Sequence, residues 1–178
     1  MRIRHVMAAS MAAALLAPPV LAQMSVTTFG ATDAVQCFEN ARNDFSRDSE
    51  PCDKALAGPL TSDDKKKTLV NRGVIRNREG KLMEAMEDFN NAIDIDSGLA
   101  EAYLNRGNSY YLGARYDQAI SDYEQALHLD VSKPWAAWYN IGLARDARSD
   151  AAGAKAAYEK ALELNPDFYA AKQKLGRG

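Results

Sequence analysis

Few side chains in this sequence are of a type and spacing that could do chemistry. Cys37 and Cys52 are the only two cysteines of the 178 residues, fifteen positions apart. No Cys-x-x-Cys spacing is present, which argues against a redox centre. The two histidines are His5 and His128. Beyond the first 22 residues His128 is the only histidine, and two Cys with one His do not complete a four-ligand zinc site, so no metal is expected. Asp94-Ile95-Asp96-Ser97-Gly98 glances at a calcium loop. However, its Gly comes one place early and the twelfth position lacks Glu, so a turn is the better reading. Gly-rich phosphate loops, Gly-x-Ser-x-Gly and His-Glu-x-x-His are all missing. No catalytic residue, enzyme activity or cofactor is therefore expected. What remains are groups that bind without reacting. Asn71, Asn105 and Asn140 recur at spacings of 34 and 35, with Asn108 beside them. An amide both donates and accepts hydrogen bonds, so such a series suits the backbone of a peptide.

The fate of the cysteines depends on compartment. Met1 to His5 is short and basic, with Arg2 and Arg4, and Val6 to Ala17 is apolar. Pro18-Pro19 then lead to Val20 and Ala22, which fit the small-residue rule for cleavage after Ala22. These parts, in this order, predict a secretory signal peptide over 1–22. The apolar stretch falls short of the ~20 residues a membrane span requires, so no span is expected after cleavage. Losing Arg2 and Arg4 would take the net charge from −2 to −4. The expected location is outside the cytoplasm, in a bacterial periplasm. There an even pair of cysteines forms a structural disulfide, Cys37 to Cys52. Closing a ~15-residue loop would stabilise by about 3 kcal/mol in the chain-entropy account.

Apolar residues make up 47% of the chain and charged ones 26%, as in an ordinary globular domain. The one basic run, Lys65-Lys66-Lys67, directly follows Asp63-Asp64 and reads as a solvated helix turn. Nucleic acid is not expected as a partner.

The elements that must position these groups are helical hairpins. In Ala100 to Lys133, Tyr103, Gly107 and Tyr110 form one helical stripe. Tyr116, Ala119, Ile120, Tyr123, Ala126 and Leu127 form a second, across the turn Gly113-Ala114-Arg115. Gly73, Gly107 and Gly142 are spaced 34 and 35, and so are Ala85, Ala119 and Ala154, and Phe89, Tyr123 and Tyr158. This arrangement resembles the tetratricopeptide repeat, a 34-residue helix–turn–helix unit that is stable only when stacked. The units are 66–99, 100–134 and 135–168, within a repeat region of 63–168. Before them, 23–31 reads as an extended lead. Residues 32–62 read as a degenerate hairpin, with Thr32 or Asp33 as N-cap and the disulfide joining its arms. After them, 169–178 reads as a truncated capping helix using Phe168, Ala171 and Leu175. Arg72 and Arg106 stand at position 7, usually apolar in the family, and are expected to cover apolar surface with their stems while reaching water.

The resemblance implies an all-α, right-handed superhelical solenoid of antiparallel hairpins whose first helices line a concave groove. The implied groove residues are Val70, Asn71, Val74 and Asn77, then Leu104, Asn105, Asn108 and Tyr111, then Tyr139, Asn140 and Leu143, with Glu101 and Asp146 beside them. Some members hold a C-terminal carboxylate in a clamp of Lys, Asn and Arg. Here Asn108, Asn140 and Lys174 fit that pattern, but Leu104 and Ala170 stand where two lysines are needed, so the clamp is not expected. The implied function is a non-catalytic adaptor or scaffold that binds a protein or peptide in the cell envelope. The alternatives are a self-associating structural repeat protein, possible as a homo-oligomer, and a divergent envelope enzyme.

Overall fold

A computed structural model describes residues 31–177. The expected signal peptide over 1–22, its expected cleavage site and all of the expected extended lead but Ala31 lie outside the described residues. The chain there is all helical: α1 Ala31–Arg42, α2 Glu50–Ala57, α3 Ser62–Arg78, α4 Leu82–Ile95, α5 Ala100–Leu112, α6 Tyr116–His128, α7 Pro134–Ala147, α8 Ala151–Leu164 and α9 Tyr169–Lys174. Consecutive helices pair as hairpins α1–α2, α3–α4, α5–α6 and α7–α8, and the second helix of each packs on the first helix of the next. The first helices α1, α3, α5 and α7 also touch in succession and line the inner side of a right-handed solenoid.

Each repeat is closed by a glycine facing an aromatic ring. A Cβ on Gly107 would come within 2.6 Å of the Tyr123 ring, and one on Gly73 within 2.6 Å of Phe89. Gly142 faces Tyr158 in the same way. Phe89, Tyr123 and Tyr158 are 0%, 1% and 2% exposed, and Ala85, Ala119 and Ala154 are buried beside them. A ring of this size dominates the local burial, at roughly 1.5–3 kcal/mol per large apolar side chain. Small residues let the helices approach, and the ring then fills the space beside them.

The turns within the units all place position 15 in the left-handed region: Gly80 at φ 77°, Ala114 at φ 57° and Ser149 at φ 63°. Only the first unit uses glycine there. In the middle unit Gly113 has φ −84° and Ala114 takes the left-handed conformation instead. The residue inserted between the second and third units is absorbed by a loop with Asp130 at φ 55° and with Val131 buried against Ala100, Ala126 and Ala137.

Two expectations are corrected. Helix α1 already includes Ala31, so Thr32 and Asp33 lie in its first turn rather than cap it. The position-7 arginines do not simply reach water. Arg72 Nη2 lies 2.6 Å from Asp88 Oδ1, Arg76 Nη1 lies 2.9 Å from Oδ2, and Asp88 is 1% exposed. Arg106 repeats this, donating to both oxygens of buried Asp122 at 2.7 and 2.8 Å, and to Asn90 Oδ1 at 2.7 Å. Burial pushes the Asp88 carboxyl up from its usual range, against the pull of Arg72 and Arg76. In the third unit the two positions are Ile141 and Ala157, both buried in one apolar cluster. The charged pair and the apolar pair fill the same place.

The first hairpin is stapled: Cys37 and Cys52 form a disulfide with Cα atoms 4.8 Å apart, and both are fully buried with Ala41 and Ile75. Pro51 sits in the first turn of α2, where its missing N–H leaves no helix bond unmade. At the other end, Ala171 is buried, and Phe168 and Leu175 pack on Ala154, Tyr158 and Ala161. They cover the last exposed face of the stack.

Candidate partner-binding groove

The inner side is built by α3, α5 and α7, whose side chains at one helical face meet those of the next hairpin. Between α3 and α5 lies a recess of about 360 Å³, lined by Val74, Asn77, Arg78, Asn105, Asn108 and Leu112. Ser109 is 1% exposed and donates to Asn77 Oδ1 at 2.9 Å, joining α5 to α3. One step along, Asn140 Nδ2 donates to Asn108 Oδ1 at 3.0 Å, joining α7 to α5. Tyr123 also donates to Asn108 Oδ1 at 3.0 Å. Asn105 Nδ2 donates back to the Glu101 carbonyl of its own helix at 2.8 Å. The amide series is therefore half spent on the fold. By valence, the groups left over on these amides are both ends of Asn71, the NH₂ of Asn77 and of Asn108, and the side-chain carbonyls of Asn105 and Asn140.

The apolar groove residues are likewise shared with packing. Val70 is 9% exposed and sits in the cluster of Leu69, Phe89 and Ala102, so it is core and not groove surface, which corrects its assignment. Val74 packs on the same cluster but keeps part of its surface in the recess. Leu104 is half-buried between Ala126 and Ala137 on one side and Tyr123 on the other. Tyr111 tilts against Tyr116 with ring centres 5.7 Å apart. Tyr139 sits between Tyr158, tilted at 5.5 Å, and Phe168, edge-on at 5.2 Å, and Leu143 packs on that aromatic cluster. Asn71 lies at the α1 end, in a separate recess.

Cations near the groove are engaged. Arg78 Nη1 and Nη2 donate to the carbonyls of Asn40, Ala41 and Asn43 at 3.2, 2.6 and 2.9 Å, capping the C-terminal end of α1. Lys174 Nζ lies 3.4 Å from Asp146 and 5.8 Å from the centre of the Tyr158 ring. Tyr158 also donates to Asp146 at 2.6 Å. Burial and that bond hold its phenol far above the usual range, and burial first, then the nearby Tyr111 and Asp122, does the same for Tyr123. The two amides that fit a carboxylate clamp are bonded to each other, and the one lysine that fits is bound to Asp146. No group of three or more His, Cys, Asp or Glu suited to a metal occurs among the described residues. None of their helices is long and apolar enough to cross a membrane.

The Arg–Asp pairs and Ser109 were missed from the sequence. Reading positions 7 and 23 together would have found the pairs, since Arg72 and Asp88, and Arg106 and Asp122, share one spacing of 16.

Comparison with known proteins decides what this architecture is. The family descriptions "Tetratricopeptide repeat", "TPR repeat" and again "Tetratricopeptide repeat" match residues 100–132, 73–113 and 135–168, together more than half of the chain. The chain is a tetratricopeptide-repeat protein. It is 34% identical over 67 residues to human DnaJ homolog subfamily C member 7, covering 38% of this chain and 14% of that relative. It is 38% identical over 89 residues to the Hsp70-Hsp90 organizing protein of Triticum aestivum, covering 49% and 15%. The chain thus spans about a seventh of the curated relatives it matches. A solved structure described as the first TPR of Spaghetti (RPAP3) bound to HSP90 peptide SRMEEVD is similar at TM-score 0.60 and 28% identity, covering 66% of this chain and 92% of that one. The tetratricopeptide units of this chain carry the glycine–aromatic closures and the shared inner face described above.

Proposed function

We propose that this tetratricopeptide chain is a non-catalytic adaptor that holds a protein or peptide segment on its inner face. The observation that carries the reading is the recess between α3 and α5, where apolar Val74 and Leu112 stand beside the amides of Asn105 and Asn108. Such a surface takes an extended segment through backbone hydrogen bonds and apolar contact, without asking for charge. The similarity to a repeat domain described as bound to a peptide supports a peptide ligand. Leu104 and Ala170 at the two clamp positions favour a segment other than an acidic C-terminus. The reading includes export: the order of basic, apolar and small residues over 1–22 supports a cleaved signal and a location in the cell envelope.

The test is capture of partners from a periplasmic extract by wild type and by Asn71→Ala/Asn105→Ala. These positions are chosen because Asn140 is tied to Asn108, so its removal would disturb the fold. A partner held by wild type and lost by the variant is the expected result; equal capture by both removes the groove reading. A mass that grows with concentration, without a partner, would favour self-association instead. N-terminal sequencing of the exported protein should begin at Gln23, and a start at Met1 would remove the export reading.

A further inference from the structure

A second recess lies between α1 and α3 and belongs to the degenerate hairpin. Its volume is about 480 Å³, and its lining includes Ala34, Val35 and Phe38 of α1, Pro59 and Leu60 of the connection, and Asn71 of α3. Val35 is 62% exposed and Phe38 45% exposed, unusual for large apolar side chains facing a concave wall. We infer that this recess is a subsite for one bulky uncharged side chain, aromatic or branched aliphatic, of the segment held on the inner face.

Three observations carry the assignment, which rests on the adaptor reading. The first is continuity. Asn71 is on the same α3 face as Val74 and Asn77, which line the neighbouring recess, so a segment along the groove passes from one to the other. The second is size: the volume falls in the range of small-ligand sites and accommodates an indole or a leucine side chain. The third is charge. Only two ionisable side chains are on the lining, and each is occupied. Lys67 Nζ is 2.6 Å from Asp63 Oδ2, and Asp64 Oδ2 accepts from the Thr61 hydroxyl at 2.7 Å. The Asp64 carboxylate keeps its charge, held at the first turn of α3 by the Thr61 hydroxyl and the positive end of that helix, while the rest of the lining apart from the paired Lys67 is neutral, so an apolar occupant gains most from burial there. The hairpin that lost the repeat signature thus adds an open apolar wall at the α1 end of the inner face.

The test uses the isotope-labelled full chain and four blocked amino acids as probes: N-acetyl-tryptophanamide, N-acetyl-leucinamide, N-acetyl-lysinamide and N-acetyl-glutamic acid amide. The first two should give saturable amide shifts at Val35, Leu60 and Asn71, and the charged two should not. Phe38→Ser and Leu60→Ser, both at partly exposed positions, should keep the helical circular dichroism and weaken the apolar probes about tenfold. Equal response to charged probes, or no response at the recess, overturns the inference. So do recess shifts that grow with protein concentration alone, or that follow Phe29→Ser without probe, because a second copy or the chain's own N-terminal segment would then be the occupant. Selection from a random-peptide library separates this inference from the adaptor reading. Peptides that bind wild type, fail on Asn105→Ala and do not compete with N-acetyl-tryptophanamide leave the groove standing and remove the subsite. A library yielding no groove binder, with the recess still saturable by the apolar probes, removes the adaptor reading and with it the subsite's place on a held segment, leaving an apolar binding recess alone.

Discussion

Gly107 has no room for a side chain, because the Tyr123 ring already occupies the position of its missing Cβ. Gly107→Val should cost at least the 1–3 kcal/mol typical of overpacking, and the loss should reach the whole array because this hairpin has neighbours on both sides. Chemical denaturation followed by circular dichroism checks this; an unchanged midpoint would mean that the ring can swing away freely. Such glycines are legible in a sequence because close backbone approach admits almost no other residue. The Arg106–Asp122 pair was not legible one residue at a time, since an arginine alone reads as a surface residue. The third unit supplies the natural control by placing Ile141 and Ala157 at the same two positions. Asp122→Ala alone should destabilise by about 3–5 kcal/mol, because it strands a half-buried guanidinium. Arg106→Ile/Asp122→Ala should return to within about 1 kcal/mol of wild type, as apolar replacements of buried pairs commonly do. A double variant as unstable as Asp122→Ala would show that the site depends on charge and not on volume.

At the level of elements, the α1–α2 hairpin is held differently from the rest. Among the described residues its buried cluster with α3 is Cys37, Ala41, Cys52 and Ile75, so the disulfide is itself half of that cluster, with Leu56 of α2 packing on the neighbouring Leu69 cluster. Arg78 adds a cap of three carbonyls at the end of α1. Reduction by a dithiol, or Cys37→Ala/Cys52→Ala, should release this hairpin while the regular units stay folded. Hydrogen exchange should then rise across 31–57 and remain slow across 82–164; uniform protection after reduction would refute a disulfide-dependent hairpin. Arg78→Ala should shift the same region in the same direction by a smaller amount. The hairpins themselves were legible because period, small residues and turn agreed in three units. The cap was not, because Arg78 and Asn40 are 38 residues apart and nothing local marks a side chain that reaches another helix's end. The same limit applies to the amide series: sequence places Asn108 and Asn140 on one face, but only the packed hairpins show them spent on each other.

Across the described residues, the hairpins are joined by apolar clusters and by polar bridges, two groups of which involve buried phenols. Tyr123 donates to Asn108, which also receives Asn140 from the next unit, and Tyr158 donates to Asp146 near the capping helix. The first unit carries Phe89 at the same position and shows that the hydroxyl is not required for the packing. Folding holds both phenols protonated well above their ordinary range, by burial in both cases and additionally by the Asp146 carboxylate for Tyr158. The sign follows. The unfolded chain ionises its tyrosines near pH ~10 while the fold still keeps these two neutral, so stability is intact below about pH 10 and declines as pH rises above it. Each such phenol removes up to about 1.4 kcal/mol per pH unit in that window. Tyr123→Phe/Tyr158→Phe should therefore be slightly less stable at pH 7, by about 1 kcal/mol for each lost bond. The variant should also lose part of the decline that wild type shows between pH 10 and 11. Melting temperatures of both proteins measured from pH 8 to 11 decide it: parallel curves would mean that these phenols ionise as readily in the fold as outside it, and that the alkaline limit of the array is set elsewhere.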